Sequence, residues 1–222
     1  MSLGRRLAAE TLGTALLLAT IIGSGIMGEQ LAGGNAAVAL LANTLATGAG
    51  LVALILAFGS ISGAHFNPLV SIAEATRKGL RWRELPLYVG VQIAGAYAGT
   101  AAAHLMFGKP LLFASQHARA GWPMMWSEVV ATFGLLCVIL VTSRLRAPAA
   151  PFAIGAYITA AYWFTASTCF ANPAVTLARA ASDTFAGIRP DDVPGFFGAQ
   201  AVGCAAAMAL CTWLLPYDEK TR

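Results

Sequence analysis

Long apolar segments separated by short polar ones run along the whole chain. Six of them are long enough to cross about 30 Å of hydrocarbon at about 1.5 Å per residue. They cover roughly residues 7–28, 36–59, 84–107, 122–143, 150–168 and 193–215. The pattern predicts an all-α membrane protein with six transmembrane helices. The first segment has no cleavage site and no polar remainder behind it, so we expect a retained first helix rather than a removed signal.

Two further apolar segments, 66–79 and 171–186, are helix-like but too short to cross a membrane. Each contains an Asn-Pro pair near its start, in the triplets Asn67-Pro68-Leu69 and Asn172-Pro173-Ala174. Proline suits the first turn of a helix, and asparagine is a common N-cap. Irregular backbone is tolerated at membrane depth only where protein or a water-filled cavity shields it. We therefore predict two re-entrant half-helices, although a lone Asn-Pro pair would more often be an ordinary capped helix start.

The two Asn-Pro segments belong to an internal repeat. The stretch from Asn67 and the stretch from Asn172 share Asn, Pro, Val and two Ala, and a Gln-x-x-Gly sequence follows each. Each copy contains three spans, and an odd number gives the second copy the opposite orientation. We place the copies at 1–115 and 116–222 of a single channel domain. Inverted repeats of this kind bring half-helix N-termini together near the midplane, a recurring design for a transport site.

Composition agrees with a membrane protein and narrows its partners. Only 11% of the residues are charged and 58% are hydrophobic, with a mean hydropathy of +0.69. The net charge is +4, but the Lys and Arg residues lie at helix ends rather than on one face, so nucleic acid is not an expected partner. Ten basic residues fall on the side of the termini and four on the other. The positive-inside rule therefore predicts cytoplasmic termini.

The sequence offers no catalytic or metal chemistry. Its four cysteines lie in or beside apolar segments and show no CxxC spacing, so neither a disulfide framework nor a metal site is predicted. No nucleophile and base pair and no phosphate-cradling loop stands out. We expect no enzyme activity and no cofactor.

With these motifs, the sequence resembles the aquaporin, or major intrinsic protein, family over almost its whole length. Residues 62–68 resemble the first family signature and Asn172-Pro173-Ala174 matches the second, while Leu69 stands where alanine is usual. The resemblance implies six tilted helices around a pore and usually a homotetramer of independent pores. It also implies that Glu10 and Glu128 are scaffold residues, which accept hydrogen bonds from the loops that carry the half-helices.

The resemblance also places an outer constriction of the pore. Its wall residues would be Thr47, Tyr162, Cys169 and Val175. Most members carry an arginine at the position of Val175, and water-selective members carry an aromatic residue at that of Thr47. We therefore expect a wider and less polar constriction. The placement of Tyr162 depends on where a loop gap falls, and Cys169 is otherwise a small core residue.

Two further residues have alternative interpretations. Arg179 lies one helical turn beyond Val175 on nearly the same face, so it could narrow the pore while Val175 packs against a helix. Its other interpretation, which we favour, is an i, i+4 ion pair with Asp183 at the surface. His65 is a candidate for the cytoplasmic vestibule or, equally, a packed histidine bonded to backbone.

These residues predict a passive channel for small neutral solutes, because a few convergent polar groups on an apolar wall suffice for such cargo. Two positive half-helix ends at the midplane disfavour cations and interrupt a proton wire. Val175 and the run 161–165 resemble bacterial members linked to arsenic resistance, whose expected cargo includes undissociated arsenite, methylated arsenicals and glycerol-like solutes, with or without water. The alternative is an ion- or proton-coupled transporter that uses Glu10 and Glu128. We expect a multi-pass protein of the bacterial plasma membrane.

Overall fold

The computed structural model describes residues 1–215, and these residues are almost entirely helical. The described part contains eight α-helices: α1 (Leu3–Leu31), α2 (Ala36–Ser62), α3 (Pro68–Thr76), α4 (Leu85–Met106), α5 (Trp122–Leu145), α6 (Ala150–Phe164), α7 (Pro173–Ala180) and α8 (Val193–Leu214). Short 3₁₀ turns precede α4, α6 and α8. Lys220 and Arg222, which entered the predicted charge asymmetry, lie outside the described residues, as does the end of the second predicted repeat.

Six long helices and two half-helices confirm the predicted fold class. Four helical segments, α1, α2, α5 and the one that ends with α8, are long and apolar enough to cross a membrane by length and composition alone. The helix α6 has 15 residues, although a span over 150–168 was predicted. It ends at Phe164 because Thr165 has an extended backbone (φ −111°, ψ 138°); the Thr165 hydroxyl donates to the Ala161 carbonyl (2.7 Å) and accepts from the Cys169 amide (3.0 Å).

Both half-helices are shorter than the predicted 66–79 and 171–186. Phe66 and Ala171 have φ angles of 48° and 47°, in the left-handed region that ends regular helix, so neither belongs to a half-helix. Beyond α3, Lys78 also has a positive φ of 66°. The α7 helix stops at Ala180, and an irregular segment follows it as far as the turn before α8.

The two halves of the molecule pack in the same way. In the first half α1 packs against α4 and α2, and in the second α5 packs against α8 and α6. Gly95 lets α4 approach α1 closely, because a methyl group there would overlap the carbonyl oxygen of Thr11. Gly203 does the same for α8, where a methyl group would overlap the carbonyl oxygen of Val129. The halves meet through α2 with α6, α4 with α7, and α3 with both α7 and α8.

The helix bundle has two end faces. We call the face that carries the N-terminus proximal; there Arg6 donates to Glu84 (2.7 Å). The opposite, distal face carries the 107–121 loop. This loop is bonded to the segment after α7: the amide of Phe113 donates to Ala181 (3.1 Å) and the amide of Arg189 donates to the His117 carbonyl (2.7 Å). The α3 half-helix runs from the centre toward the proximal face, and α7 runs toward the distal face.

Candidate pore and its distal constriction

Asn67 and Asn172 cap the two half-helices. The side-chain oxygen of Asn67 accepts from the Leu69 amide at 2.9 Å. That of Asn172 accepts from the amides of Ala174 (3.0 Å) and Val175 (3.3 Å). Proline follows each asparagine in the first turn. Because each oxygen is used inside its own helix, each NH₂ group is turned away from that helix.

The same asparagines join the two halves of the molecule. The Asn67 side-chain nitrogen donates to the carbonyl of Ala171, and that of Asn172 donates to the carbonyl of Phe66, both at 2.8 Å. The two half-helix N-termini therefore meet head to head. One N–H of each amide makes this cross-link, and the described residues offer the other no protein acceptor.

Glu10 and Glu128 occupy equivalent positions behind the two half-helices. Each buried carboxylate accepts four hydrogen bonds, from a hydroxyl, two loop amides and a glutamine side chain. For Glu10 the donors are Ser62 (2.6 Å), the amides of His65 (3.0 Å) and Phe66 (2.8 Å), and Gln92 (2.8 Å). For Glu128 they are Ser167 (2.6 Å), the amides of Phe170 (2.9 Å) and Ala171 (2.8 Å), and Gln200 (2.7 Å). The carboxylates therefore bind the loops that precede the half-helices.

A cavity of about 290 Å³ runs along the line where the half-helices meet. Leucine and isoleucine side chains from α1, α2, α5 and α6 form much of its wall. The structure brings eight of the predicted site residues to this wall: Thr47, His65, Asn67, Tyr162, Cys169, Asn172, Val175 and Arg179. The remaining motif residues, Pro68, Leu69, Pro173 and Ala174, form the first turns of the half-helices and do not line the cavity.

The four predicted constriction residues converge toward the distal end of the cavity. Thr47 comes from α2, Tyr162 from α6 and Val175 from α7, while Cys169 belongs to the loop before α7. All four are at least 97% buried. The Tyr162 hydroxyl donates to the Thr47 hydroxyl at 3.4 Å. This part of the wall therefore holds two hydroxyls, a thiol and an isopropyl group.

Comparison with known proteins decides the family. A model of the major intrinsic protein family matches residues 1–168 of the chain. The chain belongs to the major intrinsic protein family. The aquaglyceroporin AqpS of Rhizobium meliloti (strain 1021) is 55% identical over 214 residues, which are 96% of this chain and 91% of that protein. The aquaporin NIP2-3 of Zea mays is 31% identical over 195 residues, 84% of this chain and 63% of that protein.

A solved structure agrees with the fold of this family. The aquaglyceroporin from Plasmodium falciparum superposes with a TM-score of 0.75 at 20% sequence identity, covering 96% of this chain and 95% of that one. The matching family model and the 55% identical relative confirm the predicted membership of the major intrinsic protein family. Its aquaglyceroporins are membrane channels, and this chain is a multi-pass membrane member of the family.

Arg179 does not make the predicted surface ion pair. Asp183 lies beyond the end of α7, so the helical i, i+4 geometry is lost, and its carboxylate accepts from the Gln116 amide at 2.9 Å instead. The Arg179 guanidinium lies 3.3 Å from the ring centroid of Phe170, and its Nε donates to the Ala186 carbonyl. In this major intrinsic protein, a buried arginine therefore lines the cavity one turn beyond Val175.

His65 reaches the cavity from the proximal side. Its Nδ1 lies 3.0 Å from the Ser71 hydroxyl, and its ring centroid is 5.3 Å from that of Tyr88. The histidine side chain is thus bonded to a hydroxyl of α3 rather than to backbone, and it lines the cavity wall.

Glu74, Phe170 and Arg119 lie in or near the cavity wall but were not singled out from the sequence. Glu74 and Phe170 line the cavity, and Arg119 lies behind Phe170, with its guanidinium 5.1 Å from the ring centroid. The repeat signals the first two, because Glu74 is equivalent to Arg179 and Phe170 to His65. No local signal identifies Arg119: it lies in the 107–121 loop and is held by the carbonyls of residues 187 (2.8 Å) and 167 (3.1 Å).

Proposed function

We propose that this protein is a passive channel for small neutral solutes, with glycerol-like polyols as its main substrate class. The observation that carries the proposal is the reciprocal pair of cap amides, Asn67 and Asn172, inside a cavity with a largely apolar wall. Such a wall with a few fixed donors suits a solute that exchanges water hydrogen bonds one at a time. The name of the relative AqpS, an aquaglyceroporin, supports the same class.

The half-helices should also disfavour the passage of cations. Each N-terminus carries roughly half a positive charge, and the two ends face each other at the centre. A cation that entered would lose hydration and meet only repulsion there. Neutral hydroxyl compounds lose no charge solvation, and the remaining N–H of Asn67 and Asn172 can donate to them.

The constriction residues favour solutes larger than water. Val175 supplies no charge and no donor, and Thr47 is much smaller than an aromatic residue. We therefore include undissociated arsenite and methylated arsenicals among the candidate solutes, with or without water. Trivalent arsenic hydroxide is neutral and polyol-like, so the same amides and hydroxyls would bind it.

A coupled transporter is disfavoured by the position of the buried carboxylates. Glu10 and Glu128 would have to exchange protons or ions with the pore. Neither lines the cavity, and each already accepts four hydrogen bonds from the described residues. A scaffold role uses these contacts fully and needs no exchange.

Stopped-flow light scattering on proteoliposomes tests the channel proposal. Vesicles that contain the purified protein and empty vesicles are each exposed to an osmotic gradient for water, to a glycerol gradient and to an arsenite gradient. Faster equilibration of at least one solute in the protein vesicles is expected. If none of the three crosses faster than in empty vesicles, the channel proposal fails.

We further propose a homotetramer in the bacterial plasma membrane with cytoplasmic termini. The excess of basic residues on the side of the termini supports this orientation. Protease treatment of sealed right-side-out vesicles tests this orientation: a C-terminal tag should remain intact until the vesicles are opened.

Cross-linking in native membranes tests the tetramer, for which the largest product should contain four chains.

A further inference from the structure

Arg179 is a buried cation without a counter-charge. The residue is 2% exposed, and the described residues contain no carboxylate within ion-pair distance of it. Asp183 is exposed and bonded to the Gln116 amide, while both oxygens of Glu128 are occupied by donors. An ionised group in a low-dielectric site is costly unless something pairs with it.

The terminal nitrogens of Arg179 are free to bind a ligand. Its Nε is fixed by the carbonyl of Ala186, and its plane is held against the Phe170 ring. Neither terminal nitrogen has a hydrogen-bond acceptor among residues 1–215, and the side chain lines the cavity. Val175, one turn earlier on the same face of α7, is aliphatic and offers the guanidinium no acceptor. The guanidinium is therefore positioned by the protein and turned toward the pore.

A second guanidinium adds to the positive field. The Arg119 guanidinium lies 5.1 Å from the Phe170 ring centroid, and it donates to neutral acceptors: the carbonyls of residues 187 (2.8 Å) and 167 (3.1 Å) and the Thr168 hydroxyl (3.4 Å). Burial lowers the pKa of Arg119 to about 10, so it stays protonated at neutral pH. Two charged arginines thus share one aromatic ring at the distal end of the cavity.

We propose that Arg179, supported by Arg119 and Phe170, forms a binding site for a small monovalent oxyanion, such as a carboxylate, in the distal part of the pore. A guanidinium presents two parallel N–H groups that match the two oxygens of such an anion. The proposal deepens the channel function proposed above, because the site lies in the path of the neutral solute. At the other end of the cavity, Glu74 repels anions. The anion binds and hinders neutral flux, but it does not cross.

Formate, the smallest carboxylate, is a suitable probe. Glycerol flux is measured by stopped flow while formate replaces chloride on both sides of the vesicle at constant ionic strength. Formate should lower the wild-type flux several-fold and saturably. Arg179→Gln should abolish the effect, and Arg179→Lys should weaken it, because lysine keeps the charge without the fork. The matched control is Arg189→Gln on the same face, a partly exposed arginine paired with Asp192 (2.9 Å), which should behave as wild type.

A second readout does not depend on transport. Formate that binds the folded protein should raise the midpoint of thermal unfolding in detergent for wild type and Arg189→Gln, but not for Arg179→Gln. The site is refuted if formate and chloride are equivalent for wild type in both assays, or if Arg179→Gln keeps the wild-type response. If Arg179→Gln does not fold, wild type and Arg179→Lys decide the question.

The two proposals can fail separately. Glycerol flux without any formate effect would remove the anion site and leave the channel. A formate-dependent unfolding midpoint in a protein that passes no solute would support the site and remove the channel.

Discussion

The two half-helices share a backbone and differ in the side chains they present to the pore. Both α3 and α7 begin with a capping asparagine and a proline, follow a loop bound to a buried glutamate, and contact a glutamine from the next long helix. Yet Glu74 on α3 corresponds to Arg179 on α7. The backbone frame around the cavity is thus duplicated, while the charged groups that line the cavity are not.

Loss of either buried glutamate should destabilise the protein to a similar extent, because each holds the loop before one half-helix. This loss of stability is the largest expected effect. Glu10→Ala and Glu128→Ala each leave four buried donors without an acceptor, and each such donor costs about 1–3 kcal/mol. We expect each variant to unfold well below the wild-type temperature in detergent and to give a poor yield from membranes.

Glu29→Ala is the matched control, because Glu29 is an exposed glutamate on the same helix as Glu10. It should unfold close to the wild-type temperature. Normal stability of either Glu10→Ala or Glu128→Ala would show that the two loops are not held in equivalent ways.

A thiol distinguishes the distal wall from the proximal one. Cys169 lines the cavity, and its repeat equivalent is Ala64, which also lines it. Mercuric ion binds thiolate strongly, so it should block most solute flux in the wild type and little in Cys169→Ser. Cys204→Ser, which removes a buried thiol away from the cavity wall, should remain sensitive.

Moving the thiol to position 64 tests whether the proximal wall faces the same pore. Introducing Ala64→Cys into Cys169→Ser should restore the block if the two positions face one continuous pore. A Cys169→Ser protein that stays fully sensitive to mercury would place the reactive thiol elsewhere.

Because position 175 carries valine rather than arginine, we expect glycerol to pass the distal constriction more easily. Val175→Arg adds a further long cation beside Arg179 and Arg119, narrows the distal end and raises the cost of stripping water from the solute. We expect glycerol flux to fall about tenfold, which corresponds to about 1.4 kcal/mol in the barrier. Glycerol flux should fall much less in Val175→Leu, which adds volume without charge. An unchanged profile for water, glycerol and arsenite would show that Val175 is not a filter residue.

Glu74, the counterpart of Arg179, should matter least for neutral solutes. Its side chain forms neither a hydrogen bond nor an ion pair among residues 1–215, so Glu74→Gln should change glycerol flux by no more than about twofold. Removing its negative charge should nevertheless let formate act at lower concentration. If Glu74→Gln weakened the formate effect, the electrostatic contrast between the half-helices would be wrong.

Much of the frame could be predicted from the sequence, because apolar periodicity and the two Asn-Pro pairs are local signals. The half-helix limits could not, since nothing local marks Phe66 or Ala171 as left-handed residues. Phe170 and Glu74 could have been found by reading the repeat outward from the asparagines. Arg119 could not, because its position depends on carbonyls far away in sequence. The predicted ion pair between Arg179 and Asp183 was wrong because the second half-helix was predicted to extend too far: α7 ends at Ala180, before Asp183.

Uptake of labelled glycerol by wild-type proteoliposomes under an imposed pH gradient is the most direct test of a passive channel. Glycerol should enter faster than in empty vesicles, and net uptake should stop when the inner and outer concentrations are equal, whichever side is acidic. Accumulation above the outer concentration, or uptake no faster than in empty vesicles, would contradict it.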